Sequence, residues 1–163
     1  MGVNPEIEGR VYPPTEPYLV GREKIRGFAR AVFATNPTSF DVDIARAAGH
    51  ADLVAPPTFP VIVQERALAQ LVADPTSGIE PVNLVHSTEH ATSHRPVVAG
   101  DELSAVLTVT HVTSGGPHTL LVGQRAVIEL HHGRADRRVL VVHQRLERRP
   151  LQRQGDPTAA PVA

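Results

Sequence analysis

The chain has 163 residues, 16 of them basic and 17 acidic, with a formal net charge of −1 and no cysteine. That length suits one domain with a sizeable core. The balanced charge gives no argument for nucleic acid or an anionic membrane surface, and the missing thiols exclude disulfides and thiolate metal sites. No apolar run approaches the roughly 20 residues that span a bilayer. Met1–Glu6 lacks the charged and apolar regions of a secretory signal, so the expected location is the cytoplasm.

Residues 1–20 carry Pro5, Pro13, Pro14 and Pro17 and are expected to be extended, because each proline fixes φ and removes a donor. Arg22–Thr35 follows as an amphipathic helix, with Ile25, Phe28, Ala29 and Val32 at helical spacing and Asn36-Pro37 as its stop. Asp41 can cap a short helix over Val42–Ala48, closed by Gly49. Ala55-Pro56-Pro57 is a rigid turn. Thr58 then reads as an N-cap for Phe59–Val72, whose apolar residues cover a wide arc. This is the helix expected to be most buried. Asp74–Gly78 is a loop.

After residue 80 the period falls to two. Strands are predicted at about 83–95, 102–114, 118–131 and 137–147, joined by turns at 99–101, 114–117 and 132–136. Residues 149–163 read as a disordered tail behind a single domain over 1–148. An antiparallel sheet with one apolar face needs a cover, and the helix near 58–72 is the element apolar enough to supply it. The expected class is α+β: a hot-dog fold, a curved antiparallel sheet wrapped around a central helix.

Several segments match a family in order across residues 11–147. They are Tyr12-Pro13-Pro14, Val20-Gly21-Arg22-Glu23-Lys24-Ile25-Arg26, Leu53-Val54-Ala55-Pro56-Pro57-Thr58-Phe59 and Arg95-Pro96-Val97-Val98-Ala99-Gly100-Asp101. The chain resembles the MaoC-like hot-dog dehydratases and (R)-specific enoyl hydratases. Within them it is similar to the dehydratase N-terminal-domain subgroup, which includes substrate-binding subunits of actinobacterial 3-hydroxyacyl-ACP dehydratases.

The resemblance implies addition or loss of water across the α,β bond of an acyl thioester. An Asp and a His act as acid and base, and a helix N-terminus with free N–H groups polarises the carbonyl. The signature of the family runs roughly Asp, any residue, Asn, Pro, aliphatic, His, any residue, Asp. Here Ala34 falls at the Asp and Ser39 at the His, while Asn36, Pro37, Asp41, Ala45 and Gly49 keep the frame. Ala has no titratable proton, and Ser is a poor base without a partner. The resemblance further implies an acyl site at Asn36, Pro57, Thr58, Phe59, Ala91 and Ser93. It implies no cofactor, with an acyl-CoA or acyl-ACP thioester as substrate, and a hot-dog homodimer or a heterodimer with a catalytic subunit.

The segment His86–Arg95 has no apolar face. The family register turns Glu89, Ala91 and Ser93 inward, where relatives carry rings at the last two positions. Small residues there predict a wider groove, or larger neighbours that compensate. Glu89 is then expected to be partly buried with a raised pKa, and Glu89 with His86 is the fallback catalytic pair. His86, His90 and His94 share a strand face, but four residues at ~3.3 Å each separate successive ones by about 13 Å, too far to meet on one ion. Arg134–Arg138 and Arg148-Arg149 read as a solvated turn and tail, with an acidic carrier protein or coenzyme A phosphates as the functional alternative. Three functions stay open: an acyl-binding subunit that borrows its dyad, a stand-alone dehydratase of fatty-acid or polyketide metabolism, or a non-enzymatic acyl-thioester binder.

Overall fold

The computed structural model describes residues 3–80, 84–112, 123–132 and 137–148, with side chains described for 3–80 and 88–112. The expected turns at 114–117 and 133–136 and the tail at 149–163 lie outside the described residues.

The elements are β1 (Tyr18–Leu19), α1 (Arg22–Ala31), α2 (Val42–Ala47), α3 (Val61–Ala73), β2 (Leu84–Ser93), β3 (Glu102–Val112), β4 (Gly123–His132) and β5 (Arg137–Arg148). One antiparallel sheet has the order β1-β3-β4-β5-β2, which leaves β2 at an edge. Helix α3 packs on β3 and β4. Strand β3 shows why: Leu103, Ala105, Leu107 and Val109 are buried, while the alternate residues are half-buried or exposed. Each fully buried leucine there contributes roughly 1.5–3 kcal/mol. Val63, Ala67 and Leu71 of α3, at helical spacing, face this row from the other side. The α+β hot-dog architecture expected from the sequence is present.

Three local expectations need correction. The N-terminal stretch is not extended throughout, because Pro5–Ile7 forms a 3-10 turn capped by Asn4. Helix α1 ends at Ala31, before Asn36-Pro37. Thr58 is not the cap of α3. Pro60 holds that place with no side-chain cap, after a tight turn in which Phe59 N–H bonds Pro56 O and Val61 N–H bonds Thr58 O. Three prolines in five residues make this turn, since each presets φ near that of a turn or helix. Helix α3 is the most buried of the helices, as expected, with Val63, Gln64, Ala67, Leu68 and Leu71 buried. Val61, Ile62 and Val72 stay half-buried.

Candidate functional site

The site begins where α1 stops. Ala34 N–H bonds Ala29 O at 2.8 Å and Phe33 N–H bonds Arg30 O at 3.2 Å. This is the paired bonding of a Schellman ending, whose left-handed residue is ordinarily glycine. Here it is Phe33, at φ 54° and 89 % exposed. The reversal turns the chain toward Asn36. The Asn36 Oδ1 accepts from Thr38 N–H at 3.1 Å and from Thr38 Oγ1 at 2.9 Å, which opens the 3-10 turn Pro37–Ser39. Asp41 caps α2 as the sequence indicated, accepting from Asp43 and Ile44 N–H.

The turn is tied to its neighbour at two points. Val54 N–H bonds Thr38 O at 3.0 Å, and the buried Ser39 Oγ donates to Val54 O at 2.7 Å. Leu53–Ala55 in turn runs antiparallel to Val97–Ala99, through Ala55 N–H to Val97 O and Ala99 N–H to Leu53 O, both 2.9 Å. Buried Asp101 holds that second segment. It takes a two-armed bond from Arg95, at 2.7 and 3.2 Å, and Val98 N–H at 3.0 Å. At the front, Arg22 makes a two-armed bond to Asp52 at 2.8 and 2.6 Å. The guanidinium holds the Asp52 carboxyl down at about 2.

These segments enclose a pocket of about 560 Å³, within the range of small-molecule sites. Ala34, Asn36 and Ser39 form one wall with Pro57, and Ala91 and Ser93 from the end of β2 form another. Six positions singled out in the sequence therefore lie around one cavity. Thr58 and Phe59 do not line it. Thr58 is exposed beside it, and Phe59 belongs to the core, its ring 5.3 Å from Phe28 and 6.5 Å from Tyr18.

The helix N-terminus keeps fewer free donors than the family pattern implied: among the described residues only the Thr58 N–H there has no backbone partner. Phe59, Ile62 and Val63 N–H all close three-residue turns, at 2.9, 3.2 and 2.9 Å, and Pro56, Pro57 and Pro60 have no N–H. Glu89 is exposed rather than partly buried, and it is not among the pocket-lining residues. The reason is its place on the edge strand, away from α3. The His86 side chain lies outside the described residues.

Among the described residues the lining contains no carboxylate, and its ionisable members are His94 and Arg95. Arg95 is committed to Asp101. His94, exposed at the rim, was considered in the sequence only for metal spacing. Its place directly before Arg95-Pro96 was the signal that it borders the site. No group of three His, Asp or Glu among the described residues could hold a metal. Among the same residues, no helix is long and apolar enough to cross a membrane.

The comparisons agree with this architecture. A family model described as the FAS1-like, dehydratase domain region matches residues 7–135. A UPF0336 protein from Leifsonia xyli is 59 % identical over 127 residues, covering 78 % of this chain and 85 % of the relative. One from Clavibacter michiganensis is 54 % identical over 129 residues, covering 79 % and 87 %. Among solved structures, the C-terminally truncated HadBC complex of Mycobacterium tuberculosis, a (3R)-hydroxyacyl-ACP dehydratase, aligns with a TM-score of 0.70 at 27 % identity. It covers 86 % of this chain and 96 % of that one. With its sheet, its central helix and a match that spans most of its length, the chain belongs to the MaoC-like hot-dog dehydratase family, as a FAS1-like dehydratase-domain protein.

Proposed function

We propose that this chain is the acyl-binding subunit of an (R)-3-hydroxyacyl thioester dehydratase and takes its acid and base from a partner hot-dog chain. One observation carries the reading. The two positions where the family places Asp and His lie on the pocket wall, as Ala34 and Ser39, and the Ser39 hydroxyl is already donated to Val54 O. Dehydration needs a base to take the α-proton and an acid to protonate the departing hydroxyl, leaving an enoyl thioester and water. This wall offers neither. What it offers is a small-residue, proline-rich surface suited to an acyl chain, together with Asn36. The Asn36 amide nitrogen has no protein partner among the described residues and can donate to a thioester or hydroxyl oxygen.

Three further observations support a partner. Strand β2 is an open edge beside the pocket. Val61, Ile62 and Val72 of α3 are half-buried. The 27 %-identical HadBC dehydratase is itself a complex.

Hydration of crotonyl-CoA is the test. The pure chain should show almost no turnover. Activity should appear on mixing with a hot-dog chain of the same genome that carries an intact Asp and His. Robust turnover by the chain alone, free of host hydratases, would sink this reading in favour of a stand-alone enzyme.

A further inference from the structure

The pocket is amphiphilic, and its ionisable groups are of one kind. Among the described residues its lining holds His94 and Arg95 and no carboxylate, while Val54, Pro56, Pro57 and Val97 make much of the rest apolar. His94 is exposed, and its ring has no partner among the described residues. An imidazole, neutral or protonated, has at least one N–H to donate.

Arg95 is committed to Asp101 along one edge only. A guanidinium has five N–H groups in a fixed fork. Asp101 takes one from Nη1 and one from Nη2, at 2.7 and 3.2 Å, and Pro96 O takes the second from Nη1 at 2.8 Å. What remains is Nε–H and the second N–H of Nη2, parallel to each other on the other edge of the fork. Neither has a partner among the described residues. Such an edge grips a carboxylate with two parallel bonds. Buried Asp101 holds the plane still, so little freedom is lost when a ligand takes the remaining edge. The main chain beside it is fixed as well: Ser93 Oγ donates to Arg95 O at 3.0 Å, and Val97 O accepts from Ala55 N–H at 2.9 Å.

We propose that His94 and the remaining edge of Arg95 form a carboxylate subsite, through which the pocket takes a free aliphatic acid with its tail among the apolar lining. A thioester carries no charge at this group, so the ligand differs in class from the one proposed above. The inference rests on the acyl-pocket reading for the place of the tail. Hydrolysis of an acyl thioester releases such an acid, so acid and thioester compete for one cavity. Asp101 already offsets the charge of Arg95, so the geometry of the fork, and not charge alone, recognises the ligand.

Calorimetry on the full-length chain with octanoate, 1-octanol and the S-octanoyl thioester of N-acetylcysteamine tests this. The three share a tail and differ at the head. Octanoate should bind at least about tenfold more tightly than octanol, the scale of one charge-assisted contact. His94→Ala and Arg95→Lys should each remove most of that factor and leave octanol binding unchanged. Arg95→Lys keeps a cation for Asp101 but not the fork. His94→Ala should melt with the parent, because the ring is exposed and makes no bond among the described residues, which separates lost binding from lost fold.

Equal binding of octanoate and octanol by the parent chain, or binding of neither, would overturn the subsite, while tight thioester binding would leave the acyl-pocket reading standing. Octanoate binding that depends on His94, with no binding of the thioester, would do the reverse. If the substitutions weaken octanol as much as octanoate, the two residues shape the cavity without reading a carboxylate, and the proposal is wrong.

Discussion

The Ser39 hydroxyl donates to the Val54 carbonyl at 2.7 Å, and Val54 N–H answers to Thr38 O at 3.0 Å. The residue that the resemblance sets at the family's base position is thus a fastener between two pocket walls. Ser39→Ala should therefore act on stability and not on chemistry. Losing the donor leaves the Val54 carbonyl short of a partner beside a buried position, which costs about 1–2 kcal/mol. Urea unfolding should show this as a lower midpoint with an unchanged slope. Activity of the reconstituted complex should stay within a factor of two of the parent, roughly the limit for a site outside the transition state. A large fall in turnover with intact stability would give Ser39 a chemical role.

On the proposed reading, placing an acid and a base at Ala34 and Ser39 is harder than naming the positions. Ala34 is half-buried and opens on the pocket, so Ala34→Asp should be accommodated. Ser39 is 3 % exposed, so Ser39→His must insert a ring into a closed joint and also break the bond to Val54. Overpacking of this kind costs about 1–3 kcal/mol. The double variant should show weak crotonyl-CoA hydration, well above the parent and well below a natural hydratase, and a lower melting temperature. Full activity with undiminished stability would show that the wall can hold a histidine as it stands.

The Arg22–Asp52 pair makes a prediction in pH. Asp52 is lowered from an ordinary 3.8 to about 2, chiefly by the Arg22 hydrogen bond. A carboxylate with a depressed folded pKa contributes its stability fully above about pH 4, and that contribution is lost as pH falls through about 2. Arg22 is half exposed, so the effect is small and screened by salt. Asp52→Asn should lower the denaturation midpoint slightly at pH 6 in low salt, and the gap to the parent should close by about pH 2. A gap that persists unchanged in acid would mean the backbone bond from Asp52 to Leu53 N–H, at 2.8 Å, carries the effect instead.

The sheet and the central helix were legible because their signals are periodic and local. The alternation Leu103, Ala105, Leu107, Val109 fixes one face of β3, and the sheet has nowhere to bury it except against α3. The cap at Asp41 was equally plain, since an Asp before a short helical run has one obvious partner set. The misreadings fall where two rules compete. At the end of α1, apolar spacing continued through Val32, but no glycine marked the left-handed ending that Phe33 adopts. At Pro56–Pro60, a threonine looked like a cap, while the prolines imposed a tighter turn that made the cap unnecessary. For the site, spacing against the family pattern marked Ala34, Asn36 and Ser39 as neighbours. It could not show that Phe59 turns into the core, because a buried ring and a pocket-lining ring have the same sequence signal. Glu89 was misjudged for a related reason: it shares the strand face of Ala91 and Ser93, which do line the pocket, but alternation gives faces and does not say how far along an edge strand a face stays covered.

The end of β2 supplies the last prediction. Ala91 lines the pocket yet is exposed, so its side chain looks into open space rather than packed core. Of the two outcomes that small residues allow on this strand, a wider groove fits this placement better than compensation by larger neighbours. Ala91→Phe should then cost less than about 0.5 kcal/mol, because nothing must move to admit the ring. It should also shorten the space left for an acyl chain. The expected result is an unchanged melting temperature, unchanged affinity for short acyl thioesters, and affinity for long or bulky ones reduced by about tenfold or more, the equivalent of roughly 1.4 kcal/mol of lost contact. Thermal melts and an acyl-length binding series on this one variant decide it. A destabilised protein would show that a neighbour already fills the gap, and uniform weakening at every chain length would place Ala91 against the thioester rather than along the acyl tail.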